Sequence, residues 1–426
     1  MKKNILKLSF LALGGLLSAQ FSVKVDVPSD FKANQAFLYA YNGSQETIAA
    51  NGVKKGEHWT FKVENPYSGI MKVYFPSTND AFMLVTENKD VQVKAFTSAN
   101  KISTVEYGDT VNKVFKDFQD NAKKKDQILP ILLQMQTFYS PSSDFGIAMK
   151  KEIANLSAYQ PQDLSQYPFL SFYTQPLEKY TSNDPNVKQE DYINFINTAP
   201  EYLESSAQIR QVLVNYLQKS AKTSADKDID KMLKAVDIES PRGQMVLSEF
   251  IDIFDLYGLD DLKAKYLNEA KSLKCTITDR LNKTITDSDK VAVGATFANY
   301  TFNNPIHTKA KSIYDVKAKH KLIMFWSSGC SHCEAELPKI IEKYAALKNN
   351  GVEIIGLSVD ADEKAYKNRA ESLPWINDSE LKGWNSSVAN TYNVHATPYY
   401  FLLDANNKIV AKPNNFAEAI SILKIK

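Results

Sequence analysis

Apolar and polar residues alternate through the first quarter of the chain. Phe21-Ser22-Val23-Lys24-Val25-Asp26-Val27 alternates with a period of two, as does His58-Trp59-Thr60-Phe61-Lys62-Val63. That period puts every second side chain on one face of a strand, so both segments predict half-buried strands. Ala36 to Tyr41 is another such run, and it ends at Asn42-Gly43, a pair suited to a tight hairpin turn. Ile70 to Phe75, Phe82 to Thr86 and Val91 to Phe96 complete the set. Short strands with turn punctuation predict a small antiparallel β-sandwich over residues 20–105.

The period then lengthens. Val111, Val114, Phe115 and Phe118 are spaced by three and four, as are Ile209, Val212, Leu213 and Tyr216, and Phe250, Ile253, Phe254 and Tyr257. These stripes predict an α-helical region over residues 106–290. About eight helices are expected, broken near Pro130, Pro141, Pro161, Pro168 and Pro185. The stripes read as packing, with no chemical constellation among them. Cys275 falls at the end of one predicted helix. Single cysteines are usually small buried hydrophobes, so a buried free thiol is expected, with a regulatory or intermolecular disulfide as the alternative.

Strands and helices alternate from residue 291 onward. Lys321 to Trp326 predicts an apolar strand, followed by a helix from Ser331 to Lys348. Val352 to Val359 reads as a mainly apolar run, the signature of a strand covered on both faces. Glu363 to Glu371 predicts a second helix. Tyr399 to Leu403 and Ile409 to Ala411 flank Asn406-Asn407 as a hairpin, and Phe416 to Leu423 predicts a closing helix. Residues 291–426 therefore predict a mixed α/β domain.

The N-terminus changes the charge picture. Lys2, Lys3 and Lys7 precede an apolar run from Leu8 to Leu17 and then Ser18-Ala19-Gln20. This layout predicts a secretory signal peptide over residues 1–19, cleaved after Ala19. The run is too short to span a bilayer. The chain has 426 residues with 44% apolar and 23% charged content, which fits two or three globular domains. Loss of those three lysines lowers Lys plus Arg from 51 to 48, against 49 acidic residues. So balanced a chain points to no nucleic-acid partner. No later apolar stretch reaches the length of about 18 that a membrane span needs, so the mature chain is expected to be soluble, without a transmembrane segment.

There are three cysteines, too few for a fold held by disulfides. Two of them form Cys330-Ser331-His332-Cys333, and an exported chain poor in cysteine is expected to use such a pair chemically. The pair lies where the predicted strand turns into its helix. Free amides and the helix dipole at that end favour a thiolate, so Cys330 is the expected nucleophile and Cys333 the shielded resolving thiol. The chemistry is thiol–disulfide exchange through a mixed disulfide.

The surrounding residues resemble the thioredoxin superfamily, and within it the exported TlpA/ResA-like branch, over residues 291–426. The resemblance rests on Gly294-Ala295-Thr296-Phe297, on Lys321 through Gly329, on Cys330 to Cys333 with Pro338 five residues beyond, and on Tyr392 to Pro398 followed by Tyr399 to Asp404. It implies a thioredoxin-like fold and a redox-active Cys330–Cys333 disulfide. It also implies a cis Thr397–Pro398 bond packed on the pair, with Thr397 and Pro398 on the substrate side, free to pair with an extended peptide. Trp326 is expected to pack beneath the site and is placed with the substrate-side residues. His395 reads as a loop surface residue.

Two positions depart from the family. Gly329 stands where a tryptophan often precedes the first cysteine, and Met324 where cytoplasmic thioredoxins carry a buried aspartate. The TlpA/ResA-like branch carries a glutamate three residues after the second cysteine, which makes Glu336 the expected acid/base. Helical spacing independently puts Glu336 beside Cys333, where it can take that thiol's proton. The plainer alternative is a solvated helix carboxylate like Glu334. His332 is expected to stabilise the Cys330 thiolate and make the disulfide more oxidising, the alternative being an exposed helix histidine.

The resulting expectation is an exported, periplasmic thiol:disulfide oxidoreductase acting on dithiol or disulfide proteins. A second dithiol protein supplies or accepts electrons, and no metal or organic cofactor is needed. A binding or assembly protein with a vestigial thioredoxin-like domain is the alternative from another class. An AhpC/TSA-type peroxidase is disfavoured because Ser327 can supply its hydroxyl but Ile323 occupies the proline position. A zinc site lacks four ligands.

Overall fold

The computed structural model describes residues 21–158, 164–182, 184–220, 225–394 and 396–425. The expected signal peptide and His395 lie outside them. Nine strands come first: β1 (Phe21–Asp26), β2 (Phe37–Asn42), β3 (Gln45–Asn51), β4 (Val53–Lys55), β5 (His58–Val63), β6 (Ser68–Phe75), β7 (Asp80–Glu87), β8 (Val91–Ser98) and β9 (Lys101–Tyr107). They make two sheets, ordered β4-β5-β1-β8-β9 and β3-β2-β6-β7. Val23, Val25, Trp59 and Phe61 from the first sheet share a core with Leu38, Val73 and Leu84 from the second. The expectation of purely antiparallel pairing is corrected at one place: β1 runs parallel to β8, with Val23 opposite Val91 and Val25 opposite Val93. The strands absent from the sequence pattern, β3, β4 and β9, all lie at sheet edges. β4 is wholly exposed. β3 and β9 set only Ala49, Ala50, Ile102, Val105 and Tyr107 against the core, too few to write a regular alternation.

Eleven α-helices follow among the described residues, against about eight expected. They are α1 (Thr110–Gln127), α2 (Leu129–Met135), α3 (Asp144–Ala158), α4 (Pro168–Thr174), α5 (Pro176–Thr181), α6 (Gln189–Thr198), α7 (Ile209–Gln218), α8 (Ala225–Ala235), α9 (Pro241–Leu256), α10 (Asp260–Ser272) and α11 (Asp279–Lys290). The difference lies in the prolines. Pro130, Pro168 and Pro176 sit in the first turn of α2, α4 and α5, so they open short helices instead of ending longer ones. α9 is central: Met245, Val246, Leu247, Phe250, Ile251, Ile253 and Phe254 are all buried in the helical core. Its Glu249 reaches the sandwich, where it accepts hydrogen bonds from the Ser44 amide at 2.8 Å and the Ser44 hydroxyl at 2.7 Å. Arg280 pairs with the same carboxylate at 2.9 Å and Arg210 at 3.1 Å.

The last part contains β10 (His320–Trp326), α12 (Ser331–Asn349), β11 (Val352–Ser358), α13 (Glu363–Ala370), β12 (Ile376–Ser379), α14 (Ser387–Thr391), β13 (Tyr399–Asp404), β14 (Ile409–Ala411) and α15 (Phe416–Leu423). The sheet order is β12-β11-β10-β13-β14. β11 lies parallel to β10 and β12, whereas β13 is antiparallel to β10 and β14. This is a thioredoxin-like α/β domain preceded by a β-rich part and a helical part. All of β11 is buried, with a hydrophobic cluster on each face of the sheet. β12 is also fully buried yet has no apolar run, because Asp378 is satisfied by the Asn303 and Asn304 amides at 2.8 and 2.6 Å and by the Tyr300 hydroxyl at 2.6 Å.

Candidate active site at the Cys330–Cys333 turn

The strand β10 delivers the chain to the site. Lys321 through Trp326 are buried, and the Trp326 carbonyl accepts the Val359 amide at 2.9 Å. The turn Ser327-Ser328-Gly329 is then fixed by one carboxylate. Asp360, only 7% exposed, accepts the Ser327 hydroxyl at 2.8 Å, the Ser328 hydroxyl at 2.9 Å and the Ser328 amide at 3.0 Å. The Ser358 hydroxyl donates to it at 2.7 Å from the end of β11. Charge-assisted hydrogen bonds of this kind are the strong ones, so the backbone entering the cysteine pair is preorganised.

Cys330 caps α12, and the Cys333 amide donates to its sulfur at 3.1 Å. An exposed helix amide aimed at sulfur stabilises negative charge there, as the macrodipole does. The two sulfurs are joined, with their Cα atoms 5.2 Å apart. Cys330 is half-buried, while Cys333 is fully buried among Met324, Trp326, Leu337 and Tyr400. The first sulfur is therefore the reachable one. Thr397–Pro398 is a cis bond, and the Thr397 carbonyl oxygen lies 3.3 Å from the Cys330 sulfur. Cys330, Cys333, Thr397 and Pro398 thus meet in one place.

Three other expected residues stand apart from this contact. His332 is exposed on the first turn of α12, and among the described residues no hydrogen bond joins it to either sulfur. Glu336 is half-buried and turned toward β13 and α15: it accepts the Tyr400 hydroxyl at 2.5 Å and the Phe416 amide at 3.4 Å. It thus differs from Glu334, which is exposed and held by Arg369 at 2.7 and 2.9 Å. Burial and the Glu336 carboxylate together push the Tyr400 hydroxyl well above the ordinary tyrosine range. Tyr400 sits opposite Met324 in the β10–β13 ladder, so a polar group reaches the neighbourhood of the position where the aspartate is missing.

The third is Trp326, whose placement on the substrate side is corrected. It is fully buried in the core with Cys333 and offers no surface to a protein partner. Cys275 is corrected too. It is free as expected, but half-buried, and its sulfur accepts the Gln244 amide nitrogen at 3.3 Å in the loop between α10 and α11. Asp360 and Tyr400 are site residues that sequence reasoning misses. Asp360 follows an apolar strand at a spot where any loop residue could stand, and Tyr400 reads there as one more strand aromatic.

A family model described as thioredoxin-like matches residues 317–409. A thiol-disulfide oxidoreductase ResA of Bacillus cereus is 31% identical over 131 residues, which cover 30% of this chain and 72% of that protein. ResA of Bacillus subtilis (strain 168) is 25% identical over 129 residues, covering 30% of this chain and 71% of the relative. Among solved structures, the thioredoxin domain of a thiol-disulfide oxidoreductase from Bacteroides vulgatus is 28% identical, with a TM-score of 0.29, and the match covers 31% of this chain and 96% of that one.

Proposed function

On the premise that this chain belongs to the thioredoxin-like thiol–disulfide oxidoreductases, we propose that it is an exported enzyme that exchanges disulfides with protein substrates through Cys330 and Cys333. The observation that carries this reading is the half-exposed Cys330 sulfur at the N-terminus of α12, receiving the Cys333 amide and facing the Thr397 carbonyl. In the reduced enzyme, the Cys330 thiolate attacks a substrate disulfide. A Cys330–substrate bond forms and one substrate thiolate leaves with the electron pair. Cys333 then loses its proton toward Glu336, whose carboxylate is held by Tyr400, and attacks the Cys330 sulfur. The substrate departs as a dithiol and the enzyme keeps the Cys330–Cys333 bond. The reverse sequence oxidises a substrate, and a second dithiol protein resets the pair in either case.

The layout of Met1 to Gln20 supports export to the periplasm, with cleavage after Ala19. Among the described residues no helix is long and apolar enough to cross a membrane. Turnover of insulin disulfides and reoxidation of a reduced scrambled protein test the enzymatic reading. Activity in one direction that is abolished by Cys330→Ser is expected. No turnover in either direction with the thiols intact would overturn it in favour of a binding role.

A further inference from the structure

α2 is a helix without a core. It carries Leu129, Ile131, Leu132, Leu133 and Met135, yet none of its seven residues is buried. Ile131 is 56% exposed, and beyond the helix Phe138 is 79% exposed and Ile147 57%. This exposure comes with an ordered backbone. The Ser143 hydroxyl donates to the Ser140 carbonyl at 2.7 Å and accepts the Gly146 amide at 3.1 Å, which caps the start of α3. The Ser143 amide donates to the same carbonyl at 3.0 Å. A Cβ on Gly146 would meet that carbonyl at 2.1 Å, so the glycine lets the turn close. The Tyr139 ring packs edge-on against Phe145 at 4.8 Å. A fixed turn thus presents apolar side chains to solvent.

Charge is distributed around this tip and absent from it. Residues 127–143 contain no charged side chain. Lysines close the stretch on both sides: Lys123, Lys124 and Lys125 near the end of α1, and Lys150 and Lys151 in the second turn of α3, all five exposed. Asp126, Asp144 and Glu152 leave a net charge of +2 over residues 123–152. α3 packs back on α1, so both lysine groups stand at the base of the tip. Apolar side chains scattered singly over a surface call for no explanation, but a contiguous exposed group marks a contact surface. An apolar tip with a basic collar fits an anionic lipid surface, with the apolar side chains below the head groups and the lysine stems reaching back to them. α2 is about 10 Å long, against a hydrocarbon core of about 30 Å, so the tip can enter one leaflet without crossing. Two copies paired tip to tip would instead set lysine against lysine.

We propose that the α2–α3 tip is a membrane-docking element, which inserts Ile131, Phe138 and Ile147 into an anionic phospholipid surface and sets its lysine collar on the phosphate head groups. The proposal is independent of the exchange chemistry at Cys330. None of the residues of the tip belongs to the redox turn, so docking holds the chain at a membrane and leaves the cysteine pair open to its partners.

The test uses the chain from Gln20 to Lys426, which keeps every described residue and omits the apolar run Leu8 to Leu17. It is sedimented with vesicles of phosphatidylcholine alone or with phosphatidylglycerol added. Binding about tenfold tighter to the anionic vesicles is expected. Ile131→Ser with Phe138→Ser should weaken that binding about tenfold or more, and Lys124→Gln with Lys151→Gln about tenfold. All four side chains are exposed, so an unchanged urea midpoint shows that each variant is folded. Absence of binding to anionic vesicles overturns the proposal, as does equal binding to neutral ones or binding that both variants leave intact. A dimer that ignores vesicles and is split by Ile131→Ser with Phe138→Ser makes the tip a protein interface and overturns it as well.

Discussion

Asp360 gathers the Ser327 and Ser328 hydroxyls, the Ser328 amide and the Ser358 hydroxyl around a single buried carboxylate. Its effect on Cys330 is positional, through the turn that carries the sulfur. Asp360→Ala leaves four donors without their acceptor, and a loss of about 2–3 kcal/mol is expected in urea unfolding. The pH profile of Cys330 alkylation should move to higher pH in the same variant, a change that global destabilisation alone does not produce. In the proposed exchange Glu336, held by Tyr400, takes the proton of the second sulfur. Glu336→Gln should leave the attack of Cys330 on substrate intact but slow release of the mixed disulfide by roughly a hundredfold, the usual worth of a positioned proton acceptor. Rapid-quench measurement of the trapped species separates the two steps. Tyr400→Phe should give a smaller slowing, since it orients the carboxylate and leaves it in place.

The elements differ in how much of themselves they announce along the chain. β1, β5 and β11 are legible because burial on one face or on both writes a period into the residues. β3, β4 and β9 are not, since few of their residues are buried. β12 is hidden for the opposite reason: it is buried, but through polar side chains whose partners lie some 75 positions away, such as Asp378 with Asn303. Within the site, Cys330, Cys333 and Pro398 are legible from spacing and resemblance. Trp326 is misplaced by sequence reasoning because an aromatic beside a site has the same signature whether it lines the surface or the core. Asp360 and Tyr400 gain their significance only when β10, β11 and β13 are side by side. The end of α9 makes a separate prediction. Gly258→Ala puts a Cβ on a residue held at φ +66°, and although no neighbour lies within 4 Å of it, the backbone strain should cost about 1–2 kcal/mol in chemical unfolding.

Across the whole molecule, two buried ionic junctions hold the three parts together. At the first, burial alone would raise the Glu249 carboxyl, but Arg280 and Arg210, with Ser44, hold it below the ordinary range. Glu249→Ala removes one of the two carboxylates that pair with Arg280, leaving it Asp252, and is expected to cost about 1–3 kcal/mol, measurable as a lowered unfolding midpoint. At the second, burial would likewise raise Asp255, and Lys263, Lys412 and Asn393 lower it below its ordinary 3.8. A depressed carboxyl contributes stability that is complete above that ordinary value and is lost as pH falls through the folded one. The gap in stability between the natural chain and Asp255→Asn should therefore be widest near neutrality and close in acid, as urea titrations at stepped pH would show. Glu249 and Asp255 lie on the same rigid helix, six residues or about 9 Å apart along its axis. One grips the hairpin at Ser44 and the other grips Asn393 behind the reactive turn. A load that tilts the N-terminal hairpin is then carried through the helix to Asn393, as a lever moves its far end about a fixed pivot.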